Sequence, residues 1–250
     1  MVFNSKSSHI GSCFSIVEIL YVLYFKILKV HPSQPNHPER DKFILSKGHG
    51  SAALYAVLAE KGFFSREKLT GYFVDNGCLP GHLDMTVVPG IEASAGSLGH
   101  GLSIGVGMAI ANTKGKLPGR IFVLLGDGEC NEGSVWEAVM LSSTLKLKNL
   151  TAIVDFNKLQ GYGRTNEVIN QENMSERWKA FGWDAYDVDG HNLNELEKVL
   201  VLPQSRPKVI IAHTVKGKGV SFMENRLEWH YKSPNEKQYR QAMHEIGLDR

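Results

Sequence analysis

The 250-residue sequence has few cysteines, little excess charge and no long apolar run. Its three cysteines form no CxxC pair, which argues against a disulfide framework or a structural zinc site and favours a reducing, cytoplasmic compartment. A formal net charge of +2 does not favour nucleic acid as the main partner, because such proteins usually carry a basic face. No segment reaches about 18 uninterrupted apolar residues, so we predict no membrane span.

Apolar segments of two kinds alternate along the chain. Continuous short runs are typical of strands covered on both faces, and apolar residues spaced three and four apart are typical of helices. Strands separated by helices predict an α/β fold with a central, mostly parallel sheet flanked by helices, which we place in one domain over residues 1–250. The predicted strands are 121–125, 150–155 and 209–212. The predicted helices are 16–28, a segment around 54–58, a segment through Ile110, 135–147, 172–182, 192–200 and a last one around Tyr239 and Met243.

Polar residues follow two consecutive predicted strands. Gly126, Asp127 and Gly128 come directly after the first, and Asn157 follows the second about 30 residues later, the length of one βαβ unit. Ligands of open parallel sheets lie beyond the carboxyl ends of the strands, so we expect both tips to face one crevice. A carboxylate and an amide oxygen suit Mg²⁺ or Ca²⁺, completed by a diphosphate, a main-chain carbonyl and a water.

A Gly-Asp-Gly turn followed by an asparagine at this interval is the diphosphate-binding pattern of thiamine-diphosphate enzymes. Nearly the whole chain resembles one family of them, the transketolases, in their N-terminal diphosphate-binding (PP-type) domain. The motifs keep the family's order, which makes the resemblance more specific than any single motif. Three histidine motifs of the family are similar to residues 6–11, 46–50 and 80–82. The loop under the thiazolium is similar to residues 95–99, and the helix after the turn to residues 131–133 and 136–138. The segment that returns a histidine to the cofactor is similar to residues 214–219 with 229–230.

The resemblance implies a role for each matched position. Thiamine diphosphate is an electron sink for carbon–carbon cleavage, and imidazoles suit the proton transfers that accompany it near neutral pH. Leu98 is expected under the thiazolium ring, and Glu132 with Glu137 in a carboxylate network that links two active sites. The implied metal ligands are Asp127, Asn157 and the carbonyl of Leu159; the cofactor-binding residues are His49, Gly96, Leu98, Gly126, Asp127, Gly128, Asn157, Leu159, Lys216 and His230; the catalytic residues are His9, His49, His82, His230 and Glu132.

The resemblance also implies a second chain. In transketolases, the glutamate that activates the cofactor and the arginines that grip a sugar phosphate lie in a pyrimidine-binding domain. The residues after Asn157 are too few for such a domain. We therefore expect a separately encoded pyrimidine-binding subunit, an α2β2 heterotetramer, and transfer of a two-carbon ketol unit from a ketose or its phosphate to an aldose or its phosphate. Because the chain begins almost at the first histidine motif, we also expect its natural start to lie upstream.

Four positions depart from the family pattern and bear on sugar preference. They are Ser8, Cys13, His100 and Tyr231, the last of which follows His230 where glycine is frequent.

Other functions remain open. A deoxyxylulose-phosphate synthase-like or 2-oxoacid dehydrogenase-like subunit would share the diphosphate pattern, although segments 131–133 and 80–82 favour transketolase. A non-catalytic cofactor-binding subunit is a third interpretation, which the histidines and the metal pair argue against. A nucleotide-dependent dehydrogenase is remote, because the glycines of 161–163 lack the third glycine and the helix-opening turn of that motif.

Overall fold

A five-stranded sheet forms the centre of this computed structural model, which describes residues 1–248. The strands are β1 (Lys42–Leu45), β2 (Ile121–Gly126), β3 (Leu150–Phe156), β6 (Asp184–Asp189) and β7 (Lys208–His213). They lie in the order β1-β2-β3-β7-β6, and all neighbouring pairs are parallel. The predicted α/β fold with a parallel sheet is therefore confirmed. A small antiparallel hairpin, β4 (Leu159–Gln160) and β5 (Gly163–Arg164), follows β3.

Helices cover both faces of the sheet. On one face, α3, α4 and α9 pack against Phe122, Leu124 and Ile210. On the other, α5, α6 and α8 pack against Val123 and Val154. The helices are α1 (Val2–Ser5), α2 (Ile10–Phe14), α3 (Val17–Val22), α4 (Ser51–Lys61), α5 (His100–Lys114), α6 (Gly133–Thr144), α7 (Thr165–Val168), α8 (Met174–Ala180), α9 (Leu193–Leu200) and α10 (Glu236–Glu245). None of the helices within residues 1–248 is both long and apolar enough to cross a bilayer.

The amino-acid composition of β2 and β3 explains why they are central strands of the sheet. Every residue of β2 and β3 is buried, as expected for continuous apolar runs covered from both sides. The edge strand β6 was not predicted, because its Asp-Ala-Tyr-Asp-Val-Asp sequence lacks the continuous apolar run of the covered strands and only Val188 is buried. Charges on an edge strand discourage pairing with a further strand.

The helix predicted over 16–28 is present from Val17 to Ile27, and only its last part differs from an α-helix. The chain forms α3 and then one π-helical turn, Leu23–Ile27, which the Leu28 N–H closes by donating to the carbonyl of Leu23 at 2.8 Å. The predicted apolar face is nevertheless buried, including Ile16 and Leu20. Apolar periodicity identified the face, but it does not distinguish four-residue from five-residue backbone bonding.

Two glycines of α5 give a matched test of packing between helix and sheet. A methyl group added at Gly105 would lie 2.6 Å from Val123 Cγ2, whereas one at Gly107 would meet nothing within 4 Å. We expect Gly105→Ala to lower the free energy of unfolding by about 1–3 kcal/mol through overpacking. Gly107→Ala should raise it by about 0.5–1 kcal/mol, because alanine loses less backbone entropy in a helix. Urea unfolding of the purified chains measures both, and shifts of the same sign would contradict the packing described.

Candidate functional site

A cavity of about 380 Å³ opens at the carboxyl ends of β2 and β3. The two strands pair in register up to Gly126 and Asp155, so the residues that follow them come together as the sequence suggested. The predicted site residues that border the cavity are His49, Leu98, Gly126, Asp127, Gly128, Glu132, Asn157, Leu159, Lys216 and His230. The other three, His9, His82 and Gly96, lie next to this lining: His9 contacts the ring of His49, and the exposed Gly96 lies beside the exposed His82.

Asp127 is a buried carboxylate held only by neutral donors. Its Oδ1 accepts from the Gly128 N–H at 2.7 Å, and its Oδ2 accepts from the Lys158 N–H at 2.7 Å and the Thr165 hydroxyl at 3.0 Å. Burial raises the pKa of Asp127 to about 6, and the charge of Asp155 adds to the shift. No lysine or arginine of residues 1–248 bonds to this carboxylate directly. This carboxylate is therefore not neutralised by a direct ion pair, and a divalent cation could bind to it.

The remaining predicted metal ligands belong to the turn after β3. Asn157 Nδ2 donates to Asp155 Oδ2 at 2.9 Å, and its Oδ1 accepts from the Leu159 N–H at 3.0 Å. Lys158 adopts a φ of 65°, which reverses the chain between Asn157 and Leu159. The carbonyl of Leu159 accepts from Lys216 Nζ at 3.1 Å. These hard oxygen donors are of the kind that Mg²⁺ and Ca²⁺ prefer.

Beneath the turn lies a buried ion pair that the sequence did not reveal. The Lys47 ammonium donates to Asp155 Oδ2 and, at 3.2 Å, to the carbonyl of Ser12. The Ser15 hydroxyl donates to the same carboxylate at 2.7 Å, and the Thr214 hydroxyl donates to its other oxygen. Burial alone would raise the pKa of Asp155, but the Lys47 charge and these hydrogen bonds outweigh it and lower the pKa. Asp155 therefore stays charged and orients Asn157.

Glu129 is a second residue that the sequence pattern did not identify. One oxygen accepts from the Gly126 N–H at 3.0 Å, and the other accepts from the Gly99 N–H at 2.9 Å and from the Ser46 hydroxyl. Burial raises the pKa of this carboxyl group. Glu129 thus joins three of the predicted motifs. The surrounding sequence, Gly-Asp-Gly-Glu-Cys-Asn-Glu-Gly, gave no signal that separates Glu129 from the neighbouring acidic residues.

Four histidines predicted from separate motifs meet beside the cavity. The ring of His9 lies 5.1 Å from that of His230, 5.3 Å from that of His49 and 5.9 Å from that of His82, measured between centroids. Burial, followed by nearby positive charge, lowers the pKa of His9 to about 4 and that of His230 to about 3. The pKa of His49 is also lowered well below its usual value, chiefly by burial. At neutral pH these three rings are uncharged, and each can offer both a donor and an acceptor nitrogen.

The His230 ring has an assigned orientation. Lys216 Nζ donates to its Nδ1 at 2.7 Å, so the ring proton belongs on Nε2. Burial, with a smaller effect of Lys47, lowers the pKa of Lys216 to about 8, which leaves it mostly charged at neutral pH. The backbone aligns the first histidine with this group, since the His9 N–H donates to the carbonyl of His230 at 3.0 Å.

His82 lies in the long segment between α4 and α5 that the sequence predicted to be irregular. An isolated bridge between Tyr72 and Leu79 joins two parts of that segment. Its backbone is tied to α4, because the Tyr55 hydroxyl bonds to the carbonyl of His82 at 3.3 Å and the Ser51 hydroxyl to that of Gly81 at 2.6 Å. These bonds attach the loop that carries His82 to α4.

Two predicted residues at the cavity mouth are exposed in this chain. Leu98 is 37 % exposed, so plain core packing does not account for it. Glu132 precedes α6 with an exposed side chain, and the side chain of Glu137, one turn later, is exposed too. The network predicted for the two glutamates stays a prediction.

Comparison with known proteins gives a consistent result. The family model described as "Transketolase, thiamine diphosphate binding domain" matches residues 1–250. The chain is 43 % identical to one subunit of the apulose-4-phosphate transketolase of Phocaeicola vulgatus, covering 99 % of this chain and 89 % of that protein. It is 42 % identical to 6-deoxy-6-sulfo-D-fructose transketolase subunit SqwG of a Clostridium species, covering 95 % and 88 %. The crystal structure of Campylobacter jejuni transketolase superimposes with a TM-score of 0.94 at 31 % identity, covering 99 % of this chain but 40 % of that one.

Replacing Lys47 by methionine tests the buried ion pair. Lys47→Met would leave Asp155 charged and unpaired in the interior, so we expect the free energy of unfolding to fall by about 3–5 kcal/mol. Arg66→Met is the control, because Arg66 pairs with Glu60 at the surface and such pairs contribute about 0–1 kcal/mol. Denaturant titrations of the two variants should differ clearly in midpoint. Equal losses would mean that the Lys47–Asp155 pair does not support the fold.

Proposed function

Because the chain belongs to the transketolase family, with the thiamine-diphosphate-binding domain matched over residues 1–250, we propose that it is the diphosphate-binding subunit of a split transketolase. With a pyrimidine-binding subunit it transfers a two-carbon ketol unit from a ketose to an aldose, using thiamine diphosphate and a divalent metal ion. One observation carries the proposal: the oxygens of Asp127 and Asn157 lie on the same cavity as a cluster of histidines.

The metal and diphosphate belong at the tips of β2 and β3. We assign the metal to Asp127, Asn157 and the carbonyl of Leu159, where the direct partners of Asp127 are neutral donors. Gln160 lines the cavity and its Nε2 is a buried donor without a partner, as expected beside an anion that is added later. A methyl group at Gly128 would lie 2.8 Å from Gln160, so the missing side chain keeps this approach open. These features fit a diphosphate with Mg²⁺ or Ca²⁺.

The histidines are assigned to the sugars. When bound, thiamine diphosphate supplies the electron sink for cleaving the bond beside the ketone. His9, His49 and His230 are uncharged, so each can take or give a proton at a sugar oxygen without first losing one to water. His230 donates from Nε2, because Lys216 occupies Nδ1. We assign His82 and Glu132 to the same catalytic group, and we place Leu98 beneath the cofactor ring with Gly96 in the same loop, next to His82.

A second subunit completes the proposed site. Two relatives are named as subunits, and this chain covers 40 % of the solved Campylobacter jejuni transketolase chain. The exposed Leu98, Glu132 and Glu137 offer a surface beside the cavity for the pyrimidine-binding subunit, which would bring the activating glutamate. We propose an α2β2 heterotetramer. We place this complex in the cytoplasm, in keeping with three cysteines that form no disulfide.

The proposed donor is a ketose carrying an anionic group. The two relatives are named for a phosphate and for a sulfo sugar, and both names describe acidic substrates. We extend that class to this chain, with an aldose or aldose phosphate as acceptor.

Reconstitution tests the proposed activity. The chain alone should transfer no ketol unit, because half of the proposed site is on the other subunit. The pair of subunits with thiamine diphosphate and Mg²⁺ should consume xylulose 5-phosphate or another acidic ketose and leave pyruvate untouched, as measured by product chromatography. Pyruvate consumption would support a synthase or oxoacid dehydrogenase instead, and cofactor binding without turnover of any ketose would indicate a non-catalytic subunit.

Asp127→Asn tests the metal assignment. It removes the negative charge and leaves the shape nearly unchanged, so the assembled enzyme should bind thiamine diphosphate with Mg²⁺ at least about tenfold more weakly, as even indirect metal partners contribute that much. Titration calorimetry measures this affinity. Asp75→Asn removes a charge at an exposed loop position and should leave the affinity unchanged. If the two variants bind alike, Asp127 is not a metal ligand.

His82→Ala separates sugar chemistry from cofactor binding. We expect kcat/KM for the ketose to fall about 100-fold or more, the usual contribution of a positioned proton-transfer group. The affinity for thiamine diphosphate should stay within about twofold of wild type, since His82 does not border the cavity that holds the proposed metal and diphosphate site. His31→Ala, a change at an exposed histidine, serves as the control. An equal loss in both variants would remove His82 from the catalytic group.

A further inference from the structure

The Tyr231 side chain occupies the space that a side chain at position 161 would need, and residue 161 is a glycine. Its hydroxyl donates to the carbonyl of Gly161 at 3.1 Å. A methyl group built on Gly161 would lie 2.6 Å from that hydroxyl oxygen, closer than two such atoms can approach. The tyrosine and the missing side chain are therefore complementary across 70 positions of sequence. Tyr231 is also the position where glycine is frequent in the resembling family.

Gly161 is in the turn between β4 and β5, and this hairpin carries the Leu159 carbonyl that we assign to the metal. The base of the hairpin is held by Asp127, whose Oδ2 accepts from the Lys158 N–H and the Thr165 hydroxyl. The hydroxyl of Tyr231 holds the turn at the other end. Anchors at both ends restrict how far the hairpin can lift from the cavity.

Tyr231 can act as an anchor because its own segment is fixed. The preceding Trp229 is buried, and its indole N–H donates to the carbonyl of Phe222 at 2.8 Å. The carbonyl of His230 accepts from the His9 N–H at 3.0 Å. The Tyr231 ring lies 4.8 Å from the His230 ring, so it also borders the cavity. The bond to Gly161 thus joins a rigid segment to a two-stranded hairpin that has little support of its own.

We propose that Tyr231 is a positioning residue that latches the β4–β5 hairpin over the metal and diphosphate end of the cavity and thereby retains thiamine diphosphate. The inference rests on the proposed function, since it concerns the cofactor of that same site. The latch acts through the backbone of Gly161 and Leu159 and does not involve contact with the sugar substrate. Its signature is a change in cofactor affinity and release, with a much smaller change in turnover once cofactor is saturating.

Tyr231→Phe is the first test, because it removes the hydroxyl and keeps the ring. The side chain is 59 % exposed, so the variant should fold and assemble normally. In the assembled enzyme with Mg²⁺, we expect the Kd for thiamine diphosphate to rise about three- to tenfold, the usual range for one lost hydrogen bond. Cofactor should also be lost faster on dilution, and kcat at saturating cofactor should fall less than about twofold. Tyr21→Phe is the control, since this tyrosine lies on α3, is 42 % exposed and does not border the cavity.

Gly161→Ala tests the latch from the opposite side. The added methyl group must displace the Tyr231 hydroxyl, so this variant should weaken cofactor binding as Tyr231→Phe does. When Tyr231→Ala has already removed the ring, the same methyl group should have little further effect. The two substitutions together should therefore weaken binding less than the product of their separate effects.

Three results would overturn the inference. The first is a Tyr231→Phe enzyme that binds and releases cofactor as the wild type does. The second is a loss confined to kcat or to the KM for the ketose, which would place Tyr231 on the sugar. The third is independent, multiplicative effects of Gly161→Ala and Tyr231→Ala. A wild-type complex that does not bind thiamine diphosphate would refute the proposed function itself and the latch with it, so the wild-type titration tells the two failures apart.

Discussion

The ammonium of Lys47 and the carboxylate of Asp155 meet where water does not reach, and neither charge could remain there without the other. Around this pair the protein gathers segments that are distant in sequence. Ser15 and Thr214 donate to the carboxylate from the ends of the α2 and β7 regions, and Asn157 donates from the turn after β3. A change in any of these positions would leave buried polar atoms without partners, so the pair fixes the floor of the cavity as one unit.

Three buried carboxylates near the strand tips are compensated in two different ways. Asp155 has a lysine, which keeps its pKa low. Glu129 and Asp127 each have one hydroxyl and two backbone N–H groups, and burial raises the pKa of both. Position separates these two, because Glu129 joins the Ser46 and Gly99 loops, whereas Asp127 bonds to the backbone of Lys158, between the proposed metal ligands Asn157 and Leu159. Asp127 is therefore the carboxylate placed to share a cation with that turn.

The sequence was most informative where function constrains local spacing. The Gly-Asp-Gly turn and Asn157 each follow an apolar strand, and parallel neighbours must end side by side, so their meeting was predictable. The histidine cluster was predictable only from resemblance to a family, because His9 and His82 are on loops whose paths depend on tertiary contacts. The Lys47–Asp155 pair could not be predicted, since nothing local shows that two charges far apart in sequence share an interior. Two backbone features were also not predicted. β6 lacks a continuous apolar run, and the spacing of apolar residues does not show where a helix changes to π-helical bonding.

Tyr231 and Gly161 illustrate a constraint that appears only when both positions are seen in space. Taken alone, Tyr231 is a departure from the family pattern, and Gly161 is one more glycine in a turn. The structure brings them together, because even a methyl group at position 161 would collide with the tyrosine hydroxyl and displace it. Since the hairpin carries one of the proposed metal ligands, a change at either position can alter how strongly cofactor is held without altering the residues that contact the metal.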